Sequence, residues 1–307
     1  MKKYLFQILI FSFMLALVLS VLSAIFEKLA TSSTDVSPYS DINGISDLEN
    51  IDADLLVLGN SRADMGYDDS LMTCLSGMKC LNLGRHGYSF DYEYHIIYEN
   101  YIQRNKKPEY IIVDVSPWVF FDYVKPIYNI QMLPYINRPE FEFYIELCPQ
   151  LSNANKVLFI KYFGKMGKVM KEIHRLKQPE KPKNKKEDTT RWSKDYFGKP
   201  MQLECTIPNI EQFVQFLDEC KTQNVRVIIV CSPMHINDGS KYFDMDGFWN
   251  IVMWCNKDAQ FPMVTYQDLF GNDTLYFSDP AHLNKYGKQR FTTKLMHDLD
   301  SVGIIKL

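Results

Sequence analysis

Five short apolar runs, each about as long as a β-strand, constrain the fold of this chain most. They occupy residues 54–59, 79–84, 110–116, 225–233 and 261–266. None of the runs alternates strictly with polar residues, so both faces of each strand are predicted to be covered. Helix-compatible segments with apolar residues three and four apart, such as "IPNIEQFVQFLDECKTQN", separate the runs. This alternation predicts a flavodoxin-like α/β three-layer sandwich with a doubly wound parallel sheet of about five strands.

The first 28 residues differ in kind from the rest of the chain. Residues 5–26 carry no charge, and Glu27 and Lys28 end the run. At about 1.5 Å per residue a helix of this length reaches roughly 33 Å, enough to cross a hydrocarbon core of about 30 Å. The run is also longer than the apolar region of roughly 7–15 residues in a cleaved signal peptide. We therefore predict that residues 1–28 form a transmembrane helix that serves as a retained membrane anchor.

Two features bear on the topology of this anchor. The small residues "LSA" at 22–24 leave a cleaved signal peptide as the alternative. Lys2 and Lys3 precede the apolar run and favour a cytoplasmic N-terminus. The part of the chain after Lys28 is then predicted to be extracytoplasmic, in the periplasm or outside the cell.

The remaining chain is predicted to divide into a tether and one large domain. Residues 29–51 are polar and rich in turn formers, and residues 52–307 contain all five strand-like runs. The interval of about 118–205 is too long for a single crossover, so it is predicted to be a mainly helical insertion. Its residues 175–188, "RLKQPEKPKNKKED", carry six Lys or Arg against three acids. A solvated loop is the favoured interpretation, and a basic flap that attracts an anionic polymer or headgroup is the alternative.

Charge and cysteine usage exclude several classes of function. The net charge of −3 and the pI near 6.1 disfavour nucleic acid as a partner. The chain has seven cysteines, an odd number, and Cys74 and Cys80 are the closest pair that could form a disulfide. No CxxC or HExxH spacing is present, so no metal site is predicted.

Polar residues that suit nucleophilic catalysis follow the ends of predicted strands. Ser61 lies in "GNSRADMG", Gly84 in "NLGRHG", and Asp279 and His282 in "SDPAHLNKYG". Because ligands of such sheets bind at the carboxyl ends of the strands, these residues are predicted to meet there. Ser61 is the predicted nucleophile, His282 its base and Asp279 the group that orients the imidazole. The amides of Gly84 and Ser61 are the predicted oxyanion donors.

Three further residues have predicted roles near this site. His235 in "CSPMH" also follows a strand and is the main alternative to His282 as the base. Arg62 and His86 are predicted to line the substrate rim, although Arg62 could equally form a structural ion pair.

These motifs resemble the SGNH (GDSL-type) hydrolase superfamily over about residues 52–300. Ser61 corresponds to the nucleophile block, Gly84 to the glycine block, and Asp279 with His282 to the terminal DxxH block. The layout is similar to membrane-tethered members that take part in D-alanylation of lipoteichoic acid or acetylation of exopolysaccharides. The resemblance implies a serine esterase that needs no cofactor.

The chain departs from the family pattern in the third block. The family has a GxND-like turn there, whose asparagine donates to the oxyanion, whereas this chain has "VDVSPW". Ser116 or Asn60 could supply the missing donor. Loss of one such donor typically lowers the rate by about a hundredfold or more.

Three functions follow from this combination. The leading hypothesis is hydrolysis of an O-acyl ester on a cell-envelope glycan. The second is acyl transfer to an envelope polymer by the same serine. The third is a non-catalytic, membrane-tethered binding or assembly protein, which the "VDVSPW" turn favours.

Overall fold

The computed structural model describes residues 2–31, 48–120, 133–138, 153–162, 164–177, 205–235 and 243–307. The chain forms two compact units. The first contains Met1–Asp47 and Val124–Lys183, and the second contains Leu48–Tyr123 and Asn184–Leu307. The second unit holds the sheet and all of the residues singled out at the strand ends.

The sheet of the second unit has five parallel strands in the order β2-β1-β3-β4-β5. The strands are β1 (Leu55–Leu58), β2 (Cys80–Asn82), β3 (Tyr110–Asp114), β4 (Arg226–Cys231) and β5 (Met263–Thr265). This is the flavodoxin-like order, with a switch point between β1 and β3. The predicted doubly wound sheet of five strands is thus confirmed. A small antiparallel hairpin, β6 (Phe277–Asp279) with β7 (His282–Leu283), was not predicted.

Helices connect and cover these strands. In chain order they are α1 (Lys2–Thr31), α2 (Ser61–Gly66), α3 (Asp69–Ser76), α4 (Phe90–Tyr92), α5 (Glu99–Arg104), α6 (Leu158–Lys161), α7 (Met166–Lys177), α8 (Ile207–Thr222), α9 (Met245–Cys255) and α10 (Lys285–Ser301). A π-helical turn, Glu93–Tyr98, joins α4 to α5. In the second unit α10 packs on α2 and α3, and α8 packs on α4 and α9.

The central strands β1 and β3 are apolar because both of their faces are buried. Leu55 and Val57 of β1 point to one face and Leu56 and Leu58 to the other, and all four are inaccessible to solvent. The first face packs against helix side chains that include Phe291 of α10. No side of a central strand is therefore left for polar residues, which explains the lack of alternation in the sequence.

The first unit combines α1 with the described part of the predicted insertion. Helix α1 contacts α6, α7 and the short turn Leu133–Tyr135. It runs to Thr31, three residues past the predicted end of the anchor. The structure groups Val124–Lys183 in one compact unit with the N-terminal helix. Residues 178–188 of the basic stretch lie outside the described residues.

Two further sequence predictions concern α1 and the cysteines. Helix α1 is long and apolar enough to cross a membrane, with a mean hydropathy of 2.8 over its most apolar window. A signal sequence has the same properties. Cys74 and Cys80 are both free thiols, so the disulfide considered for them does not form.

A substitution at Gly84 tests how closely this residue packs against α2. A Cβ atom at Gly84 would lie 2.5 Å from the Asp64 amide nitrogen and 2.7 Å from the Ala63 Cβ. Gly84→Ala should therefore push α2 outward and lower stability by about 1–3 kcal/mol. The matched control is Gly66→Ala, because a Cβ there meets its nearest atom at 3.9 Å. Thermal unfolding of the full chain in detergent measures both, and equal midpoints for the two variants would contradict this packing.

Candidate active site

The loop after β1 presents Ser61 at the start of α2. Gly59 has φ of +143°, and a Cβ there would lie 2.9 Å from both the Asp114 carbonyl oxygen and the Ala63 Cβ. The turn therefore requires glycine. Asn60 caps α2, because its side-chain oxygen accepts a hydrogen bond from the Arg62 amide at 3.0 Å. The chain thus turns sharply from strand to helix at Ser61.

The tight turn between β6 and β7 carries the acid and the imidazole. The Asp279 Oδ1 atom accepts hydrogen bonds from the Ala281 and His282 amides, each at 3.0 Å. The His282 Nδ1 atom lies 2.8 Å from the same oxygen and 2.9 Å from Asp279 Oδ2. On the other side of the ring, Nε2 lies 2.7 Å from Ser61 Oγ. The structure therefore brings Ser61, His282 and Asp279 into one hydrogen-bonded chain.

The charge on Asp279 fixes the protonation pattern of this chain. Burial alone would raise the pKa of Asp279, but the hydrogen bonds and charge of His282 and the amides outweigh it and hold the pKa below its ordinary value. The ionised carboxylate can only accept, so Nδ1 of His282 carries a proton. Nε2 of the neutral ring is then the acceptor for the Ser61 hydroxyl. The His282 side chain is only 18% exposed.

A hydroxyl on an oriented imidazole can act as a nucleophile. The ring removes the hydroxyl proton as the oxygen attacks, and the carboxylate stabilises the imidazolium that results. Within the described ranges, no group of three or more His, Cys, Asp or Glu side chains is placed to hold a metal ion. The hydrogen-bonded arrangement of Ser61, His282 and Asp279 is suited to acyl transfer or hydrolysis.

Two of the predicted oxyanion donors make hydrogen bonds within the protein. The Gly84 amide already donates to the Asn82 side-chain oxygen at 3.0 Å, so it is not available in this conformation. Ser116 is buried, and its Oγ accepts from Asn60 Nδ2 at 3.3 Å. The Ser61 amide belongs to the first turn of α2, where amides lack intrahelical acceptors. The roles of the Ser61 amide, Ser116 and Asn60 as oxyanion donors stay predictions.

Arg62 does not lie at the rim, contrary to its predicted position. Its side chain is 3% exposed, because the guanidinium runs under the site. It donates to the Ala281 carbonyl and to the Ser232 Oγ, each at 3.0 Å, and to the Ser232 and Pro233 carbonyls. Arg62 therefore links helix α2, which begins at Ser61, to the end of β4 and to the residue before His282.

The two other histidines occupy different places. His86 is half-exposed, its Nε2 lies 2.8 Å from Asp64 Oδ2, and its ring centre lies 6.3 Å from that of His282. It therefore lies beside the base, where its predicted role toward substrate stays a prediction. His235 is buried, and its Nε2 lies 3.2 Å from the Asn272 carbonyl oxygen. His282, rather than His235, contacts Ser61.

Two polar residues that support the site, the half-buried Asn82 and the buried Glu93, were missed in the sequence. Asn82 donates from Nδ2 to the Ala63 and Tyr67 carbonyls at 2.8 and 2.9 Å, which fixes the end of α2. Glu93 lies in the π-helical turn, and its Oε1 accepts from the Gly59 amide at 3.3 Å. Burial raises the pKa of Glu93 to about 8, against the opposing effects of Arg85 and the Gly59 amide. The signal available for Glu93 was a single acid within the aromatic stretch "FDYEYHIIY".

Fold and site together define an α/β protein with a Ser-His-Asp array at the carboxyl edge of a flavodoxin-like sheet. No protein-family model matches the chain, and no curated protein matches it in sequence. Solved structures do match. TesA is 9% identical, with a TM-score of 0.43, over 81% of this chain and 98% of TesA. The acetyl xylan esterase AlAXEase is 12% identical, with a TM-score of 0.41, over 80% and 98%.

Another similar structure is Axe2, an acetylxylan esterase from Geobacillus stearothermophilus. It is 15% identical, with a TM-score of 0.38, over 82% of this chain and 94% of Axe2. At these identities and TM-scores the activity of the present chain has to be argued from its own residues.

Arg62 provides a test of how the site is held together. A lysine at this position keeps the charge but loses the planar fork that serves several carbonyls at once. We expect Arg62→Lys to slow reaction of Ser61 with a fluorophosphonate by about 10–100-fold, because a small displacement of the base is costly. The control Arg290→Lys changes an exposed residue of α10 and should leave the rate unchanged. An unaltered rate in Arg62→Lys would contradict the positioning role.

Glu93 provides a test based on pH. Its pKa is about 8 in the folded protein against an ordinary 4.5, so folding favours the protonated form. Its contribution to stability is therefore complete below about pH 4.5 and is lost as the pH rises through about 8. Glu93→Gln keeps an acceptor for the Gly59 amide but cannot ionise. We expect the thermal midpoint to fall less in this variant than in the wild type between about pH 5 and about pH 9. Parallel pH curves for the two proteins would contradict the shifted pKa.

Proposed function

We propose that the protein is a membrane-anchored serine esterase of SGNH type that removes O-acyl groups from a cell-envelope glycan or a similar ester. The hydrogen-bonded chain from Ser61 Oγ through His282 to Asp279 carries this proposal. The order and strand-end placement of the motifs, which resemble the SGNH blocks, support the same class. The acyl group and the glycan are argued from that resemblance alone.

The reaction has two steps. In the first, Ser61 Oγ attacks the ester carbonyl, and its proton passes to His282 Nε2. The tetrahedral intermediate collapses, the C–O bond to the alcohol breaks, and His282 protonates the leaving alkoxide. In the second, His282 takes a proton from water as the water attacks the acyl-serine. The second tetrahedral intermediate collapses, the C–O bond to Ser61 breaks, and His282 returns its proton to Ser61 Oγ, which releases the carboxylic acid.

The predicted location agrees with an envelope substrate. Helix α1 has the length and apolarity of a membrane span. The lysines before it favour an N-terminus in the cytoplasm and a catalytic unit on the other side of the membrane. An acylated envelope polymer is a substrate that an anchored, extracytoplasmic enzyme would meet.

Two alternatives have particular observations in their favour. Acyl transfer to an envelope polymer uses the same array, and the low exposure of His282 favours it, because exclusion of water protects an acyl-enzyme. A non-catalytic binding or assembly protein is favoured by the oxyanion donors. The Gly84 amide is engaged with Asn82, and the family asparagine is absent.

Covalent labelling of the full chain in detergent tests the proposal. A fluorophosphonate should modify Ser61, and both Ser61→Ala and His282→Ala should lower labelling by at least about a thousandfold. His297→Ala, an exposed histidine of α10, is the matched control and should label normally. An unlabelled wild type beside a labelled control hydrolase would favour the binding protein. Loss of labelling in His235→Ala but not in His282→Ala would identify the other histidine as the base.

Product analysis then separates hydrolysis from transfer. Mass spectrometry of an acetylated glycan, incubated with and without an acceptor sugar, should show free acetate in both samples if the protein is an esterase. Acetyl groups recovered on the acceptor, with little free acetate, would instead assign the transferase.

A further inference from the structure

Helix α1 is packed against protein only near its C-terminal end. Residues 2–15 of the helix are exposed along their length, whereas Ser23, Phe26 and Ala30 are fully buried. These three positions are spaced three and four apart, so they share one face. That face packs against α6 and α7 within the same compact unit.

A buried ion pair reinforces this packing. The Lys161 ammonium at the end of α6 is 1% exposed, and its Nζ lies 2.7 Å from Glu27 Oε1. The Tyr162 hydroxyl donates to the same oxygen at 3.1 Å, and its ring packs edge-on against Phe26. A buried ammonium whose partner is removed is strongly destabilising. The final turns of α1 are therefore a structural part of this unit, as well as an anchor.

The position of this contact along α1 determines where α6 and α7 lie if the helix crosses a membrane. The uncharged run ends at residue 26, and Glu27 and Lys28 mark the return to polar surroundings. A span of this length places its last turn at the boundary between acyl chains and headgroups. Helices α6 and α7, which pack on that turn, are then held at the membrane surface.

The outward side chains of this region suit such a surface. Val169 and Ile173 of α7 are buried, while Lys168 and Lys171 are exposed and three residues apart on another side of the helix. Among the residues that the structure describes, no carboxylate forms an ion pair with either lysine. Met170 of α7 is also exposed, at 48%. Two exposed lysines on one side of a helix that is held at a bilayer surface are placed to meet anionic headgroups.

We propose that α6 and α7 form an interfacial module in which Lys168 and Lys171 bind the anionic headgroups of the phospholipid bilayer that α1 enters. The inference rests on the membrane location in the proposed function but not on the chemistry of Ser61. In this arrangement one side of the module packs against α1, and the other side contacts lipid. Each lysine near an anionic surface adds to attraction that salt screens.

Photocrosslinking of the full chain in lipid nanodiscs tests the proposal. The discs contain phosphatidylcholine with a small fraction of either phosphatidylglycerol or phosphatidylcholine that carries a diazirine near its headgroup. Mass spectrometry then locates the crosslinks. We expect residues 164–177 to crosslink several-fold more to phosphatidylglycerol than to phosphatidylcholine. Lys168→Gln/Lys171→Gln should lower the phosphatidylglycerol yield at least about threefold.

A charge-matched variant controls for the change in net charge. Lys285→Gln/Arg290→Gln alters two exposed residues of α10 and should leave the crosslinks unchanged. Equal yields for the two lipids, no crosslinks in residues 164–177, or equal losses in both double variants would overturn the proposal.

The same samples separate this inference from the proposed enzyme. Fluorophosphonate labelling of Ser61 in the Lys168→Gln/Lys171→Gln variant should equal that of the wild type. Retained labelling without lipid crosslinks would refute only the interfacial module. Crosslinks without any labelling would refute only the serine esterase.

Discussion

The candidate site depends on the hydrogen bonds that the Asp279 carboxylate accepts. Its Oδ1 atom holds the backbone of the β6–β7 turn through the amides of Ala281 and His282, and it also holds the imidazole through Nδ1. The loop geometry and the tautomer of the base are therefore set by one group. These bonds keep the carboxylate ionised despite its burial. A change in the geometry of the loop would therefore also change the hydrogen bond that fixes the His282 tautomer.

Buried charge beneath the nucleophile completes this arrangement. Arg62 follows Ser61 directly, and its guanidinium reaches the loops after β4 and before His282. Burial raises the pKa of Asp114 nearby, and the charge of Arg62 opposes that shift. On the other side of the turn, Glu93 supports the Gly59 amide from a π-helical segment. Ser61 and His282 thus come from distant parts of the chain but share a buried polar layer, which favours a single geometry over an ensemble.

The sequence was sufficient to predict the sheet and the meeting of Ser61, His282 and Asp279 for a simple reason. Strands buried on both faces are uninterrupted apolar runs, and the residues after them must gather at one edge. The sequence carries no such local pattern for the position at which a long side chain ends. Arg62 was expected at the rim and lies inside, because carbonyls contributed by distant loops accept its hydrogen bonds. Gly84 was expected to donate to substrate, but a side chain two residues earlier takes its amide.

The insertion shows the same limit at the level of whole elements. The length of the insertion was enough to identify it. The residues around Lys161, however, do not indicate that the Lys161 ammonium is buried against Glu27, 134 residues away in sequence. That pair bears on the choice between a retained anchor and a cleaved signal peptide. Cleavage near residues 22–24 would leave Phe26 and Glu27 on a new chain terminus, and termini are poorly ordered unless tied down. The buried Lys161 ammonium would then depend on a partner at a frayed terminus. The packing of α1 is therefore an argument for a retained helix that is independent of the length of its apolar run.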